Sequence, residues 1–176
     1  MRRLILMVMA LAVAASPALA HTKKKVSKKV FKVDSVVMYQ PASVVADRVG
    51  DPGALKDYEH RLEHDLRAGL AAAPRGSGFS AAMVVVVRPG QGAHVWLVSK
   101  ADIPSDLAGA LTAAAVAEPA VDVQGGPIAF AVVFDGFGGG GPKVVDKQHP
   151  IPIPDAWTQA VPTGGEVATN GLELAR

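Results

Sequence analysis

The chain has 176 residues, with eighteen Lys or Arg, sixteen Asp or Glu and no cysteine. Without cysteine there is no disulfide framework, thiolate metal site, thiol nucleophile or lipid-modified cysteine anchor. The length suits one domain of about 100–120 residues with tails.

The first twenty residues read as a secretory signal peptide. Arg2 and Arg3 form a basic start, residues 4–15 an apolar core, and Ala18-Leu19-Ala20 a small-x-small cleavage site. The apolar run stops at Ser16-Pro17, short of the roughly 20 residues a membrane span needs. Cleavage there predicts a mature protein that begins at His21 and is located in the periplasm. Lys23, Lys24, Lys25, Lys28, Lys29 and Lys32 then form a basic arm, which leaves ten basic residues against sixteen acids in the rest of the mature chain. Such an arm suits weak contact with anionic envelope surfaces, and otherwise serves as a solvated terminus. Nucleic acid is not an expected partner, because the chain is exported and no aromatic interleaves with the early lysines.

Residues 30–39 are β-branched and aromatic enough for a strand, although their alternation is imperfect; Pro41 ends it. Asp51-Pro52 is a helix start signal. Leu55, Tyr58, Leu62, Leu66, Gly69, Leu70 and Ala73 then recur at helical spacing, and Pro74-Arg75-Gly76 stops the helix. Residues 79–88 form a strand apolar on both faces, which predicts a central position. Pro89-Gly90-Gln91-Gly92 turns the chain into a return strand over 93–100. Here Val95 and Leu97 share one face and His94, Trp96 and Val98 the other, where packing under a helix is the simplest role. A helix over 104–118 carries the stripe Leu107, Leu111, Ala114 and Ala115. A last strand follows Gly125-Gly126-Pro127, with Ile128, Phe130, Val132 and Phe134 on one face and Ala129, Ala131 and Val133 on the other. Residues 136–176 are rich in Gly and Pro and read as a flexible tail.

The predicted fold class is α+β: a small antiparallel sheet of three or four strands with two helices packed on it, in the order α-β-β-α-β. The expected organisation is signal peptide 1–20, basic arm and strand 21–50, domain 51–135 and tail 136–176. This order resembles the C-terminal domain shared by the TonB and TolA envelope proteins. The resemblance rests on the turn Arg88-Pro89-Gly90-Gln91-Gly92, the return strand ending in Val98-Ser99-Lys100, and the final Gly126-Pro127-Ile128-Ala129-Phe130-Ala131-Val132-Val133-Phe134. It implies a periplasmic protein-interaction module without a cofactor. Its partner would be a protein of the periplasm or outer membrane, bound by strand addition along Ile128, Ala129, Phe130, Ala131, Val132, Val133 and Phe134. The chain departs from an energy transducer in two ways. Its leader looks cleavable, and only about 30 residues separate the cleavage site from the first helix, on the order of 100 Å even fully extended.

Two constellations offer other chemistry. His60-Arg61-Leu62-Glu63-His64 matches the H-x-x-E-H pattern of inverted zinc-binding motifs, with His60 and His64 one turn apart and Glu63 placed as a general base. A metal-dependent hydrolase is therefore the alternative, although both histidines fall on the polar side of the helix. His21, once at the mature terminus, could chelate copper through its amine and imidazole. A third reading is a structural envelope factor tethered by the lysine arm.

Overall fold

Asp51 caps the longest helix, its Oδ1 accepting from the Gly53 backbone N–H at 2.8 Å, with Pro52 at the first helical position. The apolar stripe Leu55, Tyr58, Leu62, Leu66 and Leu70 is buried along it. The helix ends at Ala73, which adopts the extended geometry required of a residue before proline. The computed structural model describes residues 30–148 and 151–156. Its elements run β1 (Phe31–Met38), α1 (Ala42–Val49), α2 (Pro52–Ala72), β2 (Phe79–Arg88), β3 (Gly92–Ser99), α3 (Ser105–Ala117) and β4 (Ile128–Gly136). The class is α+β, with the α-β-β-α-β core in the expected order. The leader, His21 and Lys23 to Lys29 lie outside the described residues, whereas Lys32 sits on β1 and pairs with Asp34 at 2.6 Å.

The four strands form one antiparallel sheet in the order β1-β4-β2-β3. β2 is central, as its two apolar faces predict. β4 is central as well, and this corrects the expected edge position of residues 128–134. One side of β4 pairs with β2 from Val87↔Ile128 to Phe79↔Gly136. Its other side is taken by β1, from Met38↔Phe130 to Phe31↔Gly136. The sheet therefore begins in the segment read as part of the arm, and the domain includes residues 30–50. The register of β1 slips between Val33 and Ser35, where Asp34 forms a bulge. One extra residue inverts the alternation beyond it, which accounts for the irregular pattern in the sequence.

One face of the sheet carries the helices. Phe79, Ala81, Met83, Val85 and Val87 of β2 and Ile128, Phe130, Val132 and Phe134 of β4 pack against the stripes of α2 and α3. The helices approach closely at Gly69, where an added Cβ would lie 2.9 Å from Leu111. α1 is a two-turn helix that the sequence reading did not place. It buries only Val45 and ends at Gly50 with φ +71°, so it leaves little periodic signal.

The opposite face is also covered, in contrast to the flexible tail expected after residue 135. Phe137 takes a left-handed φ of +51° while its N–H bonds Val30 O at 2.8 Å. Four successive glycines, 138–141, then reverse the chain with φ of +98°, +72°, +122° and +72°, a path L side chains rarely follow. The chain beyond them crosses the sheet as a strap. Val144, 3% exposed, packs with Ala82, Val84, Val86, Ala129, Ala131 and Val133, and Val145 and Ile153 join them. Trp96 and Val98 belong to this cluster, so they face the strap and not a helix. Ala93, Val95 and Leu97 are the β3 residues that pack toward the helices.

Candidate functional site

The structure places both histidines of the H-x-x-E-H pattern on the solvent side of α2. His60 is exposed on α2, and the His64 side chain is 79% exposed, with Nδ1 3.1 Å from Asp65 Oδ1. Among the described residues no three His, Cys, Asp or Glu side chains converge as metal ligands. Among the described residues the pair therefore has no third protein ligand of the kind a catalytic zinc site takes.

Other buried polar groups do not converge either. Tyr58 Oη, Glu59 Oε1, Ser80 Oγ and Arg88 Nη2 are buried without hydrogen-bond partners among the described residues. Ser80 and Arg88 lie near opposite ends of β2, roughly 27 Å apart along an extended strand. Burial, with a smaller contribution from the Glu118 carboxylate, pushes the Tyr58 hydroxyl up to about 12. Glu59 is pushed above the ordinary carboxylate range by burial and then by Glu63. Because its folded value is raised, its ionisation is penalised in the native state and stability falls as pH rises through that range. Glu59→Gln should therefore raise the thermal midpoint at pH 7 relative to wild type, while leaving the two proteins nearly alike below pH 4.

The features that remain are the edges of the sheet and the strap. β1 is blunted as an edge by its bulge and by Lys32 and Asp34 within it. β3 differs. Its eight residues contain no charge and no proline, and its register with β2 runs unbroken from Ala81↔Ser99 to Arg88↔Gly92. Only β2 pairs with it among the described strands. Beside it lies a hollow of about 260 Å³ lined by Trp96, Leu97, Val98 and Ser99 on one wall and Pro154, Asp155 and Ala156 on the other. Successive strand residues point to opposite faces, so four in a row can line one hollow only along the strand's backbone edge. The sequence reading ran this strand over 93–100 and so included the charge of Lys100, which the structure leaves outside β3; the strand's place in the sheet was not legible either.

The strap is clamped at its start by Lys143. Its Nζ donates to Asp135 Oδ1 and Oδ2 at 2.8 and 2.9 Å and to Asp34 Oδ2 at 2.9 Å. Lys100 pairs with Asp146 at 3.0 Å, and the Tyr39 hydroxyl donates to the Pro152 carbonyl. Lys32 first, then Lys143, holds the Asp34 carboxyl below its ordinary value. Asp135 first, then Asp34, holds the Lys143 ammonium above its own. A depressed carboxylate contributes stability above its unfolded value, near 3.8, and loses it as pH falls through the folded one. A raised ammonium contributes below 10.5 and loses it as pH rises further. The clamp should hold across neutral pH and open in acid. The amide NMR shifts of Val144 and Val145 are expected to titrate together with a midpoint below 3.8, and to show no such transition in Lys143→Ala.

Among the described residues no helix is long and apolar enough to cross a membrane. No family model, curated protein or solved structure matches the chain.

Proposed function

We propose that the protein is an exported protein-interaction module of the periplasm that receives an extended segment of a partner protein along the outer edge of β3. The observation that carries this reading is the contrast between the two sheet edges. Natural sheets protect edges with charges, bulges and proline, as β1 does, and β3 has none of these over its full length. Backbone groups along such an edge supply affinity in strand addition, and the adjoining hollow beside Trp96 and Val98 supplies side-chain selectivity. The leader-like residues 1–20 support export. The role is that of binding alone and not of energy transduction.

Site-directed photocrosslinking in periplasmic and outer-membrane fractions tests the assignment. A photoreactive residue at the exposed position 94 on β3 should form a discrete adduct that the same residue at exposed position 35 on β1 does not. Adding Val98→Lys, whose aliphatic stem can still cover the sheet, should lower that yield roughly tenfold, equivalent to about 1.4 kcal/mol. Equal crosslinking from both edges, or yield indifferent to the lysine in a folded variant, would exclude β3 as the receiving strand.

A further inference from the structure

The strap offers a second recognition surface, on the face of the sheet opposite the helices. Pro152 and Pro154 are both buried, and Ile153 between them packs in the cluster that contains Tyr39, Trp96 and Val98. Each proline fixes its own φ and denies the helical region to the residue before it, so residues 151–154 are held extended by sequence alone. The sheet contributes two large amphipathic aromatics and one hydroxyl donor, that of Tyr39, which meets the Pro152 carbonyl. Proline-rich segments are recognised in this way elsewhere: a stiff extended chain lies across aromatic side chains and loses little entropy on docking, and its carbonyls accept from ring-borne donors.

We propose that this face is a binding site for a proline-rich extended peptide with alternating aliphatic residues, and that residues 151–154 are its intramolecular occupant. A partner segment of the same character displaces them. The strap's attachment suits replacement. Its ion pairs, Lys143 with Asp34 and Asp135 and Lys100 with Asp146, are partly exposed, and exposed pairs contribute little each. Four glycines precede the strap, which lets it lift without disturbing β4. The site does not depend on strand addition at β3, because it uses side chains of the sheet face and no ladder hydrogen bonds.

A peptide with the sequence of residues 150–156, Pro-Ile-Pro-Ile-Pro-Asp-Ala, tests this by calorimetric titration into the full-length mature protein. Competition with the tethered copy should keep wild-type binding weak. Pro152→Ala with Pro154→Ala in the protein loosens that copy, and affinity for the added peptide should rise roughly tenfold, since apparent affinity scales with the fraction of open site. Tyr39→Phe in the same background should lose about fivefold, as expected for one hydrogen bond. A peptide with both isoleucines replaced by aspartate should not bind. If the double-proline variant does not fold, Lys143→Ala loosens the strap from its other end and carries the same expectation. A folded, loosened variant that binds the peptide no better than wild type overturns the proposal, because the strap is then a fixed part of the core. A mature protein that is dimeric in light scattering and becomes monomeric on adding peptide also overturns it, since the strap's natural receptor is then a second copy.

Discussion

Phe134→Ala is expected to destabilise the protein by about 3–5 kcal/mol, a large share of the roughly 5–15 kcal/mol that holds a domain folded. The ring is fully buried where three strands meet. It lies 5.4 Å from the Phe31 ring on β1 and 6.2 Å, edge-on, from Phe79 on β2. Removing it opens a cavity and also ends two aromatic contacts, each worth about 0.5–1.5 kcal/mol beyond area burial. β1 should suffer most, because among the described strands β4 is its only partner. Urea unfolding followed by circular dichroism would report the loss as a lower midpoint. Native-state hydrogen exchange should show β1 amides exposed before those of the β2–β3 hairpin. Phe134→Leu, which refills most of the volume, should cost well under half as much. Equal costs for Leu and Ala would mean that the site collapses freely and that the aromatic cluster does not order the strands.

The second large effect falls on a glycine that pattern reading treats as a loop residue. An added Cβ at Gly78 would sit 1.9 Å from the backbone oxygen of Gly139, so Gly78→Ala must push two backbone segments apart. Overpacking of this kind costs about 1–3 kcal/mol or more, and each kcal/mol lowers the midpoint of a domain this small by roughly 4–8 °C. Because Gly139 belongs to the turn that delivers the strap, the variant should also weaken the strap's docking, read as loss of the Val144 shift dispersion. Gly109→Ala is the informative contrast. Gly109 lies within α3 with nothing within 4 Å of its added Cβ, so that change should stabilise by about 0.5–1 kcal/mol through helix propensity alone. Opposite signs for two Gly→Ala changes would separate steric contact from backbone entropy.

The elements whose side-chain period was regular were legible from sequence. α2 was signalled by its Asp-Pro start and its leucine stripe, β2 by an unbroken apolar run, and the β2–β3 turn by Pro89 and its glycines. What escaped had no periodic signature. α1 buries one side chain; the strand over 30–39 was legible as β1, but the bulge at Asp34 blurred its alternation and with it which side chains face the core. The lateral order of strands depends on ladder partners, which side-chain pattern does not specify. Yet β4 did carry a usable sign. Ala129, Ala131 and Val133 make its second face as apolar as the first, the same feature that predicted a central place for β2. The resemblance to TonB-like domains drew that strand to the edge, and β1, from the segment read as part of the arm, occupies the place a partner would have taken. The strap was missed because glycine and proline were read as signs of disorder. Here the glycines supply left-handed backbone and the prolines supply a stiff ridge that packs. The β3 edge could not be found without the sheet order, and its lack of charge emerges only once the strand ends at Ser99 and leaves Lys100 outside it.

The order β1-β4-β2-β3 has a consequence for the time course of biosynthesis. The strand that emerges fourth is the one that must slot between the first and the second. Until residue 136 is out, β1 has no neighbour to pair with and the sheet is limited to a single hairpin, which is marginal by itself in water. A chain wired this way postpones its cooperative folding until nearly all of it has been delivered. Under the export proposed above, that delay would keep the chain threadable through a translocation channel.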